Sequence, residues 1–216
     1  MSVFRLPEEP VFPRPDLADP NGLLAVGGDL SPRRLLNAYA NGIFPWYMED
    51  GPVLWWSPDP RMVLFPREFK RHKNLRRLVQ SGKFSVTMNT DFEGVIKACS
   101  RVERKGEKGT WITPAMQEAY IRLYELGFAH SVECRLDGRL AGGLYGVALG
   151  KIFFGESMFH YVTDASKVAL WYLVDFSLEN GLKLIDAQQD TPLLRSLGAR
   201  MIPRKEFLEI LQANIG

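Results

Sequence analysis

Two short runs near the end of the chain carry polar side chains inside otherwise apolar, strand-like sequence. "FGESMF" contains Glu156, and "LIDAQ" contains Asp186 and Gln188. Residues two apart on a strand leave the sheet on one face, so Asp186 and Gln188 are expected side by side. Three polar groups among Leu, Ile and Phe are costly to bury unless hydrogen-bonded, so they either bond one another structurally or await a ligand. A carboxamide has almost no basicity, so Gln188 is a weak base alone. Asp186 can supply negative charge beside it.

The elements that must hold these groups are legible nearby. "SVECRL" leads through Asp137-Gly138 into "RLAGGLYGVALG", a hairpin signal because Asp-Gly supplies the positive φ angles of a tight turn. The strand "KIFFGESMF" follows, then a helix over 164–180, with Ala165, Val168, Ala169, Tyr172 and Phe176 expected on one side. The strand "LKLIDAQ" returns after it. Such a βαβ unit makes strands 151–157 and 182–188 parallel, and ligands favour the carboxyl ends of such strands. Glu156, Asp186 and Gln188 stand there. Upstream, strands are expected near 61–65 and 84–88, with helices at 68–80, 91–99 and 114–126. The last of these has Thr113 as cap and Pro114 as first residue. A short helix capped by Thr191, a strand near 200–203 and a final helix close the chain.

Residues 1–62 read differently. They hold most of the fourteen prolines and one convincing helix, capped by Ser31. "NGIFPWYMEDGPVLWWSPDPR", residues 41–61, concentrates Trp46, Trp55 and Trp56 where prolines forbid a continuous helix. Those rings either close a small core or offer a flat face to a ligand.

The chain has 216 residues, 46% of them hydrophobic, enough to bury a sizeable core. No apolar run approaches the roughly 20 residues a bilayer span needs, and "MSVFRLPEEP" has no signal-peptide pattern, so a cytoplasmic protein is expected. Cys99 and Cys134 stand apart from any metal-type cluster, so no metal is expected. The net charge is +2, but Arg67, Lys70, Arg71, His72, Lys73, Arg76, Arg77 and Lys83 crowd seventeen residues with a single acid. A further basic run spans Arg101 to Lys108. Both are either solvated faces or phosphate-contacting patches.

The blocks "NGLLAVGGDLSPRRLLNAYANGIFPWY", "LWWSPDPR", "GTWIT", "YGVALG", "FGESMF", "DASKVAL", "LIDAQ" and "SLGARMIPR" occur in one order from about residue 20 to 206. Together they resemble the bacterial leucyl/phenylalanyl-tRNA–protein transferase family. The resemblance implies an α+β (mixed α/β) fold: a small irregular N-terminal domain, 1–62, then a GNAT-like acyltransferase domain, 63–216. The second would have a mixed, mostly antiparallel sheet covered by helices. It implies an aminoacyltransferase that moves leucine or phenylalanine, less readily methionine, from leucyl-tRNA or phenylalanyl-tRNA to an acceptor protein's N-terminal Arg or Lys, marking that protein for degradation. No cofactor, metal or membrane partner is implied, and a monomer is expected.

Carried over residue by residue, the resemblance makes Asp186, Gln188 and Glu156 catalytic. Leu144, Phe153, Leu170 and Ile185 would wall the amino-acid pocket. Trp111, Tyr120, Tyr39 and Trp46 would meet the terminal adenosine or aminoacyl group, since stacking holds a base without needing its identity. Arg71, Lys73, Arg76, Arg77 and Lys83 would grip tRNA phosphates. The chain departs from the family pattern at His160-Tyr161 and in "QDTPLLRSLGA". An acetyl-CoA enzyme of the GNAT type would need an Arg/Gln-x-x-Gly-x-Gly/Ala loop, which "RLDGRL", "RLAGGL" and "RSLGAR" all miss at the last position. A non-enzymatic RNA-binding module would leave the polar trio unexplained.

Overall fold

The computed structural model describes residues 3–48, 50–102 and 110–215; the basic run ending at Lys108 lies outside them after Val102. Local signals place the helix starts. Ser31 caps α1 (Pro32–Ala40), Asp91 caps α3 (Phe92–Arg101) and Thr113 caps α4 (Pro114–Glu125), each accepting a backbone N–H three residues on. The remaining helices are α2 (Lys73–Gln80), α5 (Ala165–Glu179), α6 (Pro192–Ser196), capped by Thr191, and α7 (Arg204–Gln212).

A small sheet takes the order β1-β2-β4-β3, from β1 (Phe4–Arg5), β2 (Leu23–Val26), β3 (Phe44–Pro45) and β4 (Leu54–Trp56). The large sheet uses β5 (Arg61–Leu64), β6 (Ser85–Met88), β7 (Ala129–Leu136), β8 (Arg139–Leu149), β9 (Ile152–His160), β10 (Leu184–Gln188) and β11 (Arg200–Ile202). Its order is β11-β5-β10-β9-β8-β7-β6. Asp137 and Gly138, both at positive φ, turn β7 into β8 as expected. β9 and β10 are parallel, joined over the top by α5, and every other neighbour pair in this sheet is antiparallel.

The two faces of the large sheet carry separate cores. One packs Phe154 and Tyr145 against α3, α4, α7 and the small sheet, so Tyr39, Trp55, Tyr120 and Phe207 share a single cluster. The other packs Phe153 and Ile185 against α5, with Phe69 and Leu75 outside it.

Two local expectations change. The helix expected at 68–80 is a 3₁₀ turn at 66–68, an extended strap, and then α2. Tertiary contacts straighten the strap: Phe69 packs edge-on to Trp171 at 5.8 Å, and the Lys70 N–H donates to the Leu197 carbonyl at 2.9 Å. That strap covers the outer side of α5, so α5 buries Leu170, Trp171, Leu173 and Val174 along with Ala165, Val168 and Ala169. Tyr172 is exposed and Phe176 only half-buried, because a helix apolar nearly all round gives no period from which to read its inner face.

Candidate active site

The parallel ladder between β9 and β10 runs Leu184 to Ile152, Ile185 to Phe153 and Asp186 to Phe154. Glu156 and Gln188 lie beyond its last pair, and a cavity of about 370 Å³ lies against the strand ends there. Leu144, Phe153, Leu170 and Ile185 all line it, joined by Leu173 and Ala187. Trp46, Phe44 and Trp111 join the wall from outside the sheet. Gly146 makes room for one of these groups. A Cβ there would stand 2.6 Å from the Phe153 ring and 2.1 Å from the Phe154 carbonyl oxygen, at the point where the β8–β9 register slips.

Glu156 is the only carboxylate among the described residues that line the cavity. Its Oε2 accepts the Tyr120 hydroxyl at 2.8 Å, and its Oε1 accepts Gln188 Nε2 at 2.8 Å. Tyr39 and Tyr120 join hydroxyl to hydroxyl behind it. Burial raises Glu156 to about 7, against the pull of the Tyr120, Tyr39 and Gln188 hydrogen bonds and with a further push from the Asp186 charge. Burial, reinforced by Glu156, holds both phenols well above their ordinary range, so they remain donors.

Asp186 does not line the cavity. It is fully buried and takes a two-pronged ion pair from Arg61, with Nε to Oδ1 at 2.8 Å and Nη2 to Oδ2 at 2.7 Å. Arg61 is itself 1% exposed; its guanidinium lies over the Phe44 and Phe207 rings at 4.6 and 4.8 Å, and it donates to the Gly42 carbonyl at 3.3 Å. The alternation expected between Asp186 and Gln188 is interrupted. The β10–β5 register slips between them, Gln188 sits at φ 60°, and its N–H donates to Asp186 Oδ1 at 3.0 Å.

The aromatic and basic candidates also divide. Trp46 and Trp111 reach the cavity, whereas Tyr39 and Tyr120 are fully buried and meet it through Glu156. Trp55 is core: its ring packs on Phe12 and its Nε1 donates to the Gly27 carbonyl. Trp56 braces Trp46, edge-on at 5.7 Å and donating to its carbonyl at 2.7 Å. Lys73, Arg76, Arg77 and Lys83 are exposed. Arg71 is half-buried, bonded to Asp175 at 2.5 Å and lying over the Trp171 ring at 4.7 Å. Among the described residues no cluster of three His, Cys, Asp or Glu could hold a metal ion.

Comparison with known proteins matches residues 63–212 to the model of the leucyl/phenylalanyl-tRNA protein transferase and residues 28–59 to the model of its N-terminal domain. The chain belongs to this family. A leucyl/phenylalanyl-tRNA–protein transferase of Syntrophobacter fumaroxidans is 57% identical over 215 residues, covering 100% of this chain and 92% of the relative. One from Solidesulfovibrio magneticus is 56% identical over 213 residues, covering 99% and 86%. The crystal structure of FemX superimposes with a TM-score of 0.51 at 12% identity, covering 84% of this chain and 71% of that one, a likeness of fold.

Sequence reading passed over the lining residues Phe44, Leu173 and Ala187, and passed over Arg61 behind them. For Arg61 the signal was present, since "DPRMVLF" opens a strand on a charge and continues with four apolar residues. A charge at the head of a buried strand needs a partner, but the sequence did not say that the partner lies 125 positions away.

Proposed function

We propose that this protein transfers leucine or phenylalanine, and methionine less readily, from aminoacyl-tRNA to the N-terminal Arg or Lys of an acceptor protein, marking it for degradation. The observation that carries this reading is one cavity. Its apolar wall of Leu144, Phe153, Leu170 and Ile185 ends beside the hydrogen-bonded Glu156 and Gln188, at the carboxyl ends of the parallel strands. Leucine and phenylalanine side chains suit that wall. A carboxylate and a carboxamide at its mouth suit the groups that react.

The acceptor's α-amino nitrogen attacks the ester carbonyl carbon, a C–N bond forms, and the bond to the ribose oxygen of the terminal adenosine breaks. The nitrogen loses a proton and the ribose oxygen gains one. The ester is already activated, so holding amine and carbonyl together can supply much of the acceleration, up to ~7–11 kcal/mol in favourable cases. Gln188 orients the reacting groups. Glu156, raised to about 7, can accept a hydrogen bond or a proton from an amine near neutral pH. The chemistry calls on no metal or cofactor.

Trp46 and Trp111 offer ring faces to the terminal adenosine, with Tyr39 and Tyr120 holding Glu156 behind them. Lys73, Arg76, Arg77 and Lys83, with Arg71, take the tRNA phosphates. Residues 1–62 form the small N-terminal domain, its last two residues entering β5 of the large sheet, and 63–216 the catalytic one, in a cytoplasmic monomer. Among the described residues no helix is long and apolar enough to cross a membrane. The test mixes the protein with radiolabelled leucyl-tRNA and either a peptide beginning with Arg or one beginning with Ala. Label should move only to the Arg peptide. Acetyl-CoA turnover, or tRNA binding without transfer, would overturn the reading.

A further inference from the structure

We infer that Arg61 is a positioning residue for this transfer: paired with Asp186, it fixes the turn that aims the Gln188 carboxamide at Glu156. Asp186 then acts through that turn, and not as a bare charge on the reacting groups. The inference rests on the proposed reaction and extends it to two residues that do not line the cavity.

Five observations support it. The pair is two-pronged and enclosed, so Asp186 is held in one orientation, and its charge is the smallest of the influences on Glu156. The guanidinium has little freedom, with Phe44 and Phe207 over it and the Gly42 carbonyl accepting from its third nitrogen. The Asp186 oxygen that takes Arg61 Nε also takes the Gln188 N–H at 3.0 Å. That bond closes over a backbone otherwise disfavoured for a side-chain-bearing residue, with φ at 60° and the ladder out of register. From that turn, Gln188 Nε2 reaches Glu156 Oε1 at 2.8 Å. A frame built from β3, β5 and α7 thereby sets the position of a side chain at the end of β10.

The pair can be neutralised without leaving a buried charge. Replacing both members of a buried ion pair is commonly tolerated, whereas removing one leaves the other uncompensated. The full chain is compared with Arg61→Lys, Arg61→Met, Asp186→Asn and the double variant Arg61→Met/Asp186→Asn. The measurements are single-turnover transfer of leucine from leucyl-tRNA to the Arg peptide, and thermal unfolding.

Arg61→Met and Asp186→Asn should each slow the saturated rate by about 100-fold, the scale of a misplacement near 1 Å, with substrate half-saturation within about threefold. The double variant should regain at least tenfold, because the introduced carboxamide oxygen still accepts the Gln188 N–H and no charge is stranded. Arg61→Lys keeps the charge but loses the fork; it should fold normally and transfer slowly.

The pH profile separates positioning from mere support of the fold. Glu156 is faced by Tyr120, Tyr39, Gln188 and Asp186, with Tyr145 beside the phenols. Removing Arg61 strips Asp186 of its counter-charge, so the push it already exerts on Glu156 grows and the acid limb of the Arg61→Met profile moves to higher pH.

Full-rate transfer by folded Arg61→Met or Arg61→Lys would overturn the inference. A folded double variant that transfers at the wild-type rate would also do so, by showing that the fork is not needed to hold the turn. If Arg61→Met does not fold, the double variant and Arg61→Lys decide by the same rates. A wild-type protein that transfers nothing refutes the reaction instead.

Discussion

Replacing Glu156 by glutamine should change the stability of this protein in a way that depends on pH, and with a sign opposite to that of most acidic residues. Glu156 is buried and rises from 4.5 to about 7, with desolvation the largest cause. An acid whose folded value lies above its unfolded one holds its proton more tightly in the fold. Between pH 4.5 and 7 the native state therefore binds more protons than the unfolded chain, and stability falls as pH rises. The penalty is absent below the window and complete above it. At about 1.4 kcal/mol per pH unit, the rise amounts to roughly 3 kcal/mol.

Glu156→Gln removes the ionisation and with it the penalty. The carboxamide has one acceptor where the carboxylate has two, so Tyr120 and Gln188 must share it, or the Tyr120 hydroxyl must turn to accept. That rearrangement adds an offset independent of pH. The quantity to measure is the stability of Glu156→Gln minus that of wild type, from urea unfolding at intervals from pH 4.5 to 8.5. The difference should climb by roughly 3 kcal/mol across the range, equivalent to about 6–12 °C in Tm for a chain of this length. Parallel stability curves would refute the reasoning, since Glu156 would then ionise as easily in the fold as outside it.

Leu170→Trp places an indole in the cavity, and kcat/KM for phenylalanyl transfer should fall at least about tenfold more than for leucyl transfer; equal losses would remove Leu170 from the pocket wall. Arg76→Glu with Arg77→Glu should weaken tRNA binding and flatten its dependence on log salt by about one to two, because two cations that neutralise phosphates are gone. An unchanged slope in a binding titration would make that face of α2 a solvated surface. Trp55→Ala should cost about 3–5 kcal/mol in denaturant unfolding, because the ring is wholly buried. Trp46→Ala should instead weaken aminoacyl-tRNA binding with far less effect on unfolding, and a reversed pattern in the two assays would exchange the roles given to the rings.

The concentration of tryptophans at 46–56 shows where sequence reading stops. Composition and prolines mark the segment as special, but core and ligand readings stay open because both need large apolar rings. The structure separates them by neighbours far along the chain. Trp55 finds Gly27 and Phe12, while Trp46 is braced by Trp56 and left facing the cavity. The same holds for the tyrosines. Tyr39 and Tyr120 are 81 positions apart, and nothing local announces that their hydroxyls meet behind Glu156.

What the sequence determined by itself is what short-range chemistry encodes. Ser31, Thr113 and Thr191 set helix starts through hydrogen bonds that reach three residues. Asp137-Gly138 sets a turn, and a helix between two apolar strands sets a parallel crossover. The four apolar residues suggested by the family blocks, Leu144, Phe153, Leu170 and Ile185, all line the cavity. Tertiary structure alone decided the cavity, the strap that interrupts the expected helix at 68–80, and the partner of Asp186. Each depends on groups brought together from distant parts of the chain: β9 and β10 parting after Phe154, Phe69 lying on Trp171, Arg61 enclosed with Asp186. A local pattern fixes the angles of a few bonds, but the electrostatic environment of a buried charge is set by whatever the whole fold packs against it.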